Sequence, residues 1–257
     1  MAELTARASE SGHWYTREGD PMYTVEAAKG GMRATTLRDA RKLNLVPSVT
    51  TVLNVAAKPA LLQWMQKQVL LAALTLPKID SETEEQYLDR IINDSKEQGR
   101  LAADAGTDIH AAVQAFYEGT VYRDHEEHVK GCVKAISGHY GDRGWICERS
   151  FAHDAGFGGK VDMHVPASEG FEGIVVDIKT KEFTDPADVK GFDDHLMQLA
   201  AYRVGLGIQN AQCANVFVSR SRPGLSVLVE WSQEDLRRGW QMFYHLLQFW
   251  QIKNEHK

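Results

Sequence analysis

Gly173-Ile174-Val175-Val176-Asp177-Ile178-Lys179-Thr180 reads as a β-strand, with the turn residues Ser168-Glu169-Gly170 just ahead of it. Isoleucine and valine at 174, 175, 176 and 178 give a nearly continuous apolar run, the pattern of a central strand covered on both faces. Two charges interrupt it. Successive strand side chains alternate faces, so Asp177 and Lys179 share one wall while Ile178 turns into the core. An unpaired buried carboxylate is costly, so a cation beside Asp177 is physically sensible; the plain alternative is a solvated strand face.

Outward from this strand the period of two continues. Strands are expected over 145–153, 157–166 and 173–180, then a helix over Asp193–Gly205. Strands at 213–219 and Ser226–Trp231 follow, joined by Arg222-Pro223-Gly224, and Ser232-Gln233-Glu234-Asp235 caps a last amphipathic helix ending near Lys253. Upstream, helices are expected over 106–118, with Ile109, Val113 and Phe116 on one face, and over Glu126–Tyr140. The first hundred residues read as largely helical. A hairpin pairs 13–16 with 22–25 across Glu18-Gly19-Asp20-Pro21, and a helix covers 36–43. Pro47-Ser48-Val49-Thr50-Thr51 supplies a break and N-caps before Val52, Leu53 and Val55. Pro59 starts a helix whose wide apolar face carries Leu61, Leu62, Trp64, Met65, Val69, Leu70 and Leu74; the capping box Ser81-Glu82-Thr83-Glu84 opens another, running towards Asp104.

The chain has 257 residues, 43% of them hydrophobic, enough for a substantial core in one large or two small domains. Its net charge of −6 argues against a broad basic surface for duplex DNA. A local basic groove stays compatible with it, because the acid concentrates around 81–108 and 124–127 while Arg33, Arg38, Arg41 and Lys42 cluster early. Cys132, Cys147 and Cys213 are odd in number and lack a CxxC pair, which indicates neither a disulfide framework nor a zinc ribbon. Residues 1–6 lack an apolar signal core and no run reaches bilayer length, so a cytoplasmic location without membrane association is expected.

Gly159-Lys160-Val161-Asp162 brings a second carboxylate on a neighbouring strand. Asp162, Asp177 and Lys179 together can hold a divalent cation and place a water beside it, the requirement for phosphodiester hydrolysis. The order helix, three strands, helix, strand carries five motifs: Gly106-Thr107-Asp108-Ile109-His110, Glu148, Gly159-Lys160-Val161-Asp162, Asp177-Ile178-Lys179-Thr180 and Gln198-Leu199-Ala200-Ala201-Tyr202. This set resembles the PD-(D/E)XK nuclease superfamily, specifically its RecB-like branch. Each motif alone is weak; together, over about 100 residues, they are fairly specific. Pro47 to Leu53 followed by Trp64 is similar to the amino-terminal part of phage exonucleases and of the mitochondrial genome-maintenance exonuclease within that group. The family's Pro-Asp is not literal here, since Val161 precedes Asp162.

The resemblance implies an α/β fold with a restriction-endonuclease-like core, a central mixed β-sheet flanked by helices, over 101–257, and a helical amino-terminal extension over 1–100 packed on it. It implies a Mg²⁺- or Mn²⁺-dependent DNA exonuclease acting on single-stranded or free-ended DNA, with replication or recombination proteins as further partners and the host cytoplasm as its location if phage-encoded. Metal ligands would be His110, Asp162, Asp177 and the Ile178 carbonyl; carboxylates and carbonyls suit magnesium, and an added imidazole favours manganese. Lys179 would orient and help deprotonate the attacking water and stabilise phosphate charge. Gln198 and Tyr202, one helical turn apart, would position the phosphate or the lysine, with a core-aromatic reading of Tyr202 kept open by Leu196, Leu199 and Val204. Glu148 keeps two readings, steadying Lys179 or a metal-bound water, or pairing with Arg149 or another base. Ser48 and Thr50 would donate to a phosphate at a helix start. Three cysteines fall short of the four that iron–sulfur members use, so no iron–sulfur cluster is expected. His125-Glu126-Glu127-His128 lacks the HExxH spacing, and Gly156-Phe157-Gly158-Gly159-Lys160 lacks a Walker pattern. The alternatives are a structure-specific endonuclease and a non-catalytic DNA-end-binding recombination partner.

Overall fold

The three expected strands and the two that follow form one sheet. The computed structural model describes residues 13–122 and 124–256; the segment 1–6 read above for a signal lies outside them. In chain order the elements are β1 (Trp14–Tyr15), β2 (Thr24–Glu26), β3 (Met32–Ala34), α1 (Leu37–Leu43), β4 (Val46–Pro47), α2 (Val49–Leu53), α3 (Pro59–Thr75), α4 (Glu84–Tyr117) and α5 (Glu126–Tyr140). Then come β5 (Ile146–His153), β6 (Phe157–Val165), β7 (Ile174–Lys181), α6 (Asp193–Gly205), β8 (Gln212–Ser219), β9 (Ser226–Trp231) and α7 (Gln233–Lys253). Two compact units result, one made of the chain up to Ala56 together with Ala112 onward, the other of Ala57–Ala111.

The first unit holds a five-stranded sheet in the order β5-β6-β7-β8-β9. Its one parallel pair is β7 with β8, because α6 carries the chain back between them; the other neighbours are antiparallel. Helix α6 packs on β6, β7 and β8, α7 packs on α6, and α5 packs on β8 and β9. Leu196, Leu199 and Ala200 of α6 meet Leu236, Phe243 and Leu247 of α7 in a core that also takes in Val49, Val52 and Leu53 of α2. Thus the segment around Ser48 belongs with the sheet, and α2 lies against α6, α7 and β6. No helix of the described residues is long and apolar enough to cross a membrane.

Two local expectations change. Residues 13–15 do turn back on 21–22, with Met22 N–H donating to the Trp14 carbonyl at 2.8 Å, but Pro21 has no N–H to extend that ladder. β1 pairs instead with β4, and an unforeseen hairpin joins β2 to β3. The break expected between 104 and 106 does not occur: α4 runs unbroken for 34 residues, Gly106 costing about 1 kcal/mol against alanine in a stretch otherwise rich in helix formers. In the second unit the residues of the wide apolar face of α3 are exposed, Leu74 the most at 82%. That unit is pinned by polar ties, Tyr87 Oη to the Leu76 carbonyl at 2.8 Å and Arg90 to Glu82 and the Pro77 carbonyl, each 2.7 Å.

Two features of the first unit give measurable expectations. Gly131 of α5 lies so close to Gly224 in the β8–β9 turn that a Cβ would overlap the Gly224 carbonyl, which is backbone and cannot swing away. Gly131→Ala is therefore expected to destabilise the protein by about 1–3 kcal/mol, read from its urea midpoint; an unchanged midpoint would show that the contact relaxes freely. His164 and His256 are buried, and burial is the main cause holding both imidazoles below their ordinary value of 6.5. They stay neutral where the unfolded chain takes up protons, so stability is complete above that value and falls as pH drops below it. The urea midpoint should fall between about pH 7.5 and about pH 5.5, and a flat profile over that window would remove the assignment.

Candidate active site

The ladder between β6 and β7 has only three rungs, Val165↔Ile174, His164↔Val175 and Met163↔Val176. Beyond them β6 runs on through 157–161 paired to β5, with one parallel bridge from Gly158 to Ser48, and β7 runs through 177–181 paired to β8. The strands part into a fork, and the first residue on each arm is an aspartate, Asp162 and Asp177. Asp162 Oδ2 accepts the Ile178 N–H at 2.8 Å, so a carboxylate stands where the next ladder partner would be. A strand residue's N–H and C=O point to the same edge, which turns the Ile178 carbonyl into the same opening.

Asp177 is 1% exposed, and its carboxylate survives there because both oxygens are bonded. Lys179 Nζ donates to Oδ1 at 2.9 Å and Asn215 Nδ2 to Oδ2 at 2.8 Å. Asn215 is itself oriented by Trp231, whose Nε1–H donates to Asn215 Oδ1 at 2.8 Å. On the other side, Lys179 Nζ donates to Gln198 Oε1 at 3.0 Å, and Gln198 Nε2 donates to Tyr202 Oη at 2.8 Å. These two contacts assign every group of the Gln198 amide. Gln198 thus bonds the lysine and Tyr202 bonds Gln198, and Tyr202 is also buried in the core.

Burial alone would lower Lys179, but the Asp177 and Asp162 carboxylates outweigh it and hold the ammonium above its ordinary value. A lysine so held is a hydrogen-bond donor, suited to orienting water and balancing phosphate charge. Burial, then Asp177 and Asp162, push the Tyr202 phenol well above its usual range, so it is a neutral hydroxyl. Burial likewise raises Cys132 and Cys213 to about 12 and Cys147 to about 11, leaving the thiols protonated.

Glu148 lies between the pairs Cys147↔Met163 and Arg149↔Val161, facing Asp162 across β5 and β6. Its φ is 54°, a left-handed conformation within a strand that costs a non-glycine residue about 1–2 kcal/mol. The carboxylate is ion-paired with Lys160. Ser48 Oγ caps α2, accepting from Thr51 N–H at 3.0 Å, and bonds the hydroxyls of Thr50 and Thr51, each at 2.9 Å. Those hydroxyls serve a five-residue helix, and their arrangement gives no support to a phosphate site. His110 lies on α4 in the unit Ala57–Ala111, whereas the fork belongs to the other unit.

Asn215, Trp231 and Lys160 were not foreseen. Asn215 was visible as the lone polar residue within the apolar Cys213-Ala214-Asn215-Val216-Phe217, though its partner could not be read. Among the described residues no group of three or more His, Cys, Asp or Glu side chains could hold a metal ion. What the fork offers is two carboxylates and a carbonyl. Such hard oxygens fit magnesium or manganese, since magnesium is commonly held by one or two carboxylates with water and substrate phosphate completing its shell.

No protein-family model matches the chain. No curated protein matches it either. Among solved structures it is similar to the crystal structure of SSO0001, with 14% identity and a TM-score of 0.30 over 74% of this chain and 87% of that one. A likeness of that size carries no argument about fold or activity.

Proposed function

We propose that this chain is a metal-dependent deoxyribonuclease with a restriction-endonuclease-like core, degrading single-stranded or free-ended DNA as an exonuclease. The observation that carries the reading is the fork itself, with Asp162 and Asp177 at its base and Lys179 bonded to both Asp177 and Gln198. Asp162, Asp177 and the Ile178 carbonyl would hold Mg²⁺ or Mn²⁺. When bound, the cation supplies Lewis acidity towards the phosphate and makes hydroxide accessible near neutral pH.

The rest falls to the chain's own groups. The Lys179 ammonium donates to a non-bridging phosphate oxygen, where charge grows as water attacks phosphorus. Gln198, fixed by Tyr202, keeps that ammonium aimed into the fork. One P–O bond forms to water, the P–O bond to the deoxyribose breaks, and the water's proton ends on the leaving alcohol. The free-end preference, and replication or recombination proteins as partners, rest on the motif resemblance.

End-labelled linear DNA and a covalently closed single-stranded circle, incubated with Mg²⁺, Mn²⁺ or EDTA, test the reading. Linear strands should be digested with either metal, and neither substrate in EDTA. Cutting of the circle would replace the exonuclease with an endonuclease. EDTA-resistant cutting would refute the metal chemistry, and DNA binding without cleavage would favour a non-catalytic end-binding protein.

A further inference from the structure

The two arms of the fork carry mirrored sequences, Lys160-Val161-Asp162 on β6 and Asp177-Ile178-Lys179 on β7. The strands are antiparallel, so each arm leaves the last rung with an aspartate and bears a lysine two residues further out, about 7 Å along the strand. Lys179 has a role in the proposed reaction. Lys160 has none so far, yet more of the structure is spent on it than a surface lysine requires.

Glu148 adopts its left-handed conformation within β5 and delivers its carboxylate to Lys160. Tyr15 packs against Gly158, two residues before Lys160 on β6, where a Cβ would come within 2.9 Å of the tyrosine, and Tyr15 Oη bonds Tyr23 Oη at 2.7 Å. Tyr23 is further stacked on His13 at 4.6 Å. The Lys160 side chain is still 39% exposed, against 28% for Lys179, so a polyanion can reach it. A surface ion pair is worth too little to account for a strained strand residue.

The geometry points to Lys160 as a second phosphate-binding group, the counterpart of Lys179 on the opposite arm, contacting a phosphodiester neighbouring the one that is cut, with Glu148 as its positioning residue. The inference rests on the nuclease reading and adds a direction to it: the DNA backbone crosses the opening from one arm to the other. A chain of phosphates meets one ammonium on each side, and the two aspartates lie between them.

Binding of a fluorescein-labelled oligothymidylate, followed by anisotropy in Ca²⁺ over a series of NaCl concentrations, reads this directly. Each phosphate contact contributes about 0.7 to the slope of log Kd against log salt for a single strand. Lys160→Gln should weaken binding and lower the slope by about that amount, and Lys160→Arg should restore it. Glu148→Gln keeps the ammonium but removes its positioning partner, so it should keep the slope and weaken binding. Melting curves identify any variant that fails to fold; if Lys160→Gln fails, a Lys160→Arg or Glu148→Gln chain that loses the slope overturns the proposal. So does a Lys160→Gln chain with wild-type affinity and slope, and that result leaves the nuclease reading intact. A wild-type chain that neither binds nor cuts DNA overturns both.

Discussion

Lys179→Gln is expected to slow Mg²⁺-dependent DNA cleavage by about 10²–10³-fold, the usual loss when one preorganised donor is removed from a developing charge. The substitution keeps length and polarity but removes the cation that bonds Asp177 and Gln198. It also leaves Asp177 buried with Asn215 still donating to it but without its cation, so the variant should melt earlier than wild type in EDTA. Added Mg²⁺ should recover part of that difference, because a cation at the fork replaces the missing positive charge. Cleavage within a few fold of wild type would remove Lys179 from the reaction. A melting difference indifferent to Mg²⁺ would remove the cation from the fork.

Asn215→Leu should destabilise the protein by about 2–4 kcal/mol, although the side chains are similar in size and the site is fully buried. Two groups lose a partner at once, the Asp177 carboxylate, which keeps Lys179, and the Trp231 Nε1–H. Each unpaired buried polar group costs about 1–3 kcal/mol, and a charged one more. Trp231→Phe removes only the outer link, leaves no orphaned donor on the indole, and should cost less. The urea midpoints of the two variants settle the order; equal losses would mean that the carboxylate does not depend on Asn215.

Legibility in the sequence followed the kind of information each feature needs. The strand at 174–181 and helix α6 were readable because periodicity is local, and so was the cap at Ser48. The partner of β1 was not, since pairing depends on which segment lies alongside, and Pro21 spoiled the nearest choice. The unbroken α4 was missed because one glycine weighs little against a long run of helix formers. Asp162, Asp177 and Lys179 were named from two short motifs, and the structure brings them to one place. The Asp177–Asn215 bond joins residues 38 apart, a pairing that no spacing rule announces. Of the two hydroxyls read as phosphate donors, that of Ser48 caps α2 and bonds that of Thr50, a role that the cap pattern already announced.

The three-rung seam between β6 and β7 has a mechanical consequence. On one side stands the long β5–β6 hairpin and on the other the β7–β8–β9 ribbon, each laced along most of its length. The sheet is thinnest in backbone bonding at the very point where the aspartates sit. Few ladder hydrogen bonds join the two leaves there, so the angle between them is set by the Asp162–Ile178 bond and by α6, which packs across β6, β7 and β8.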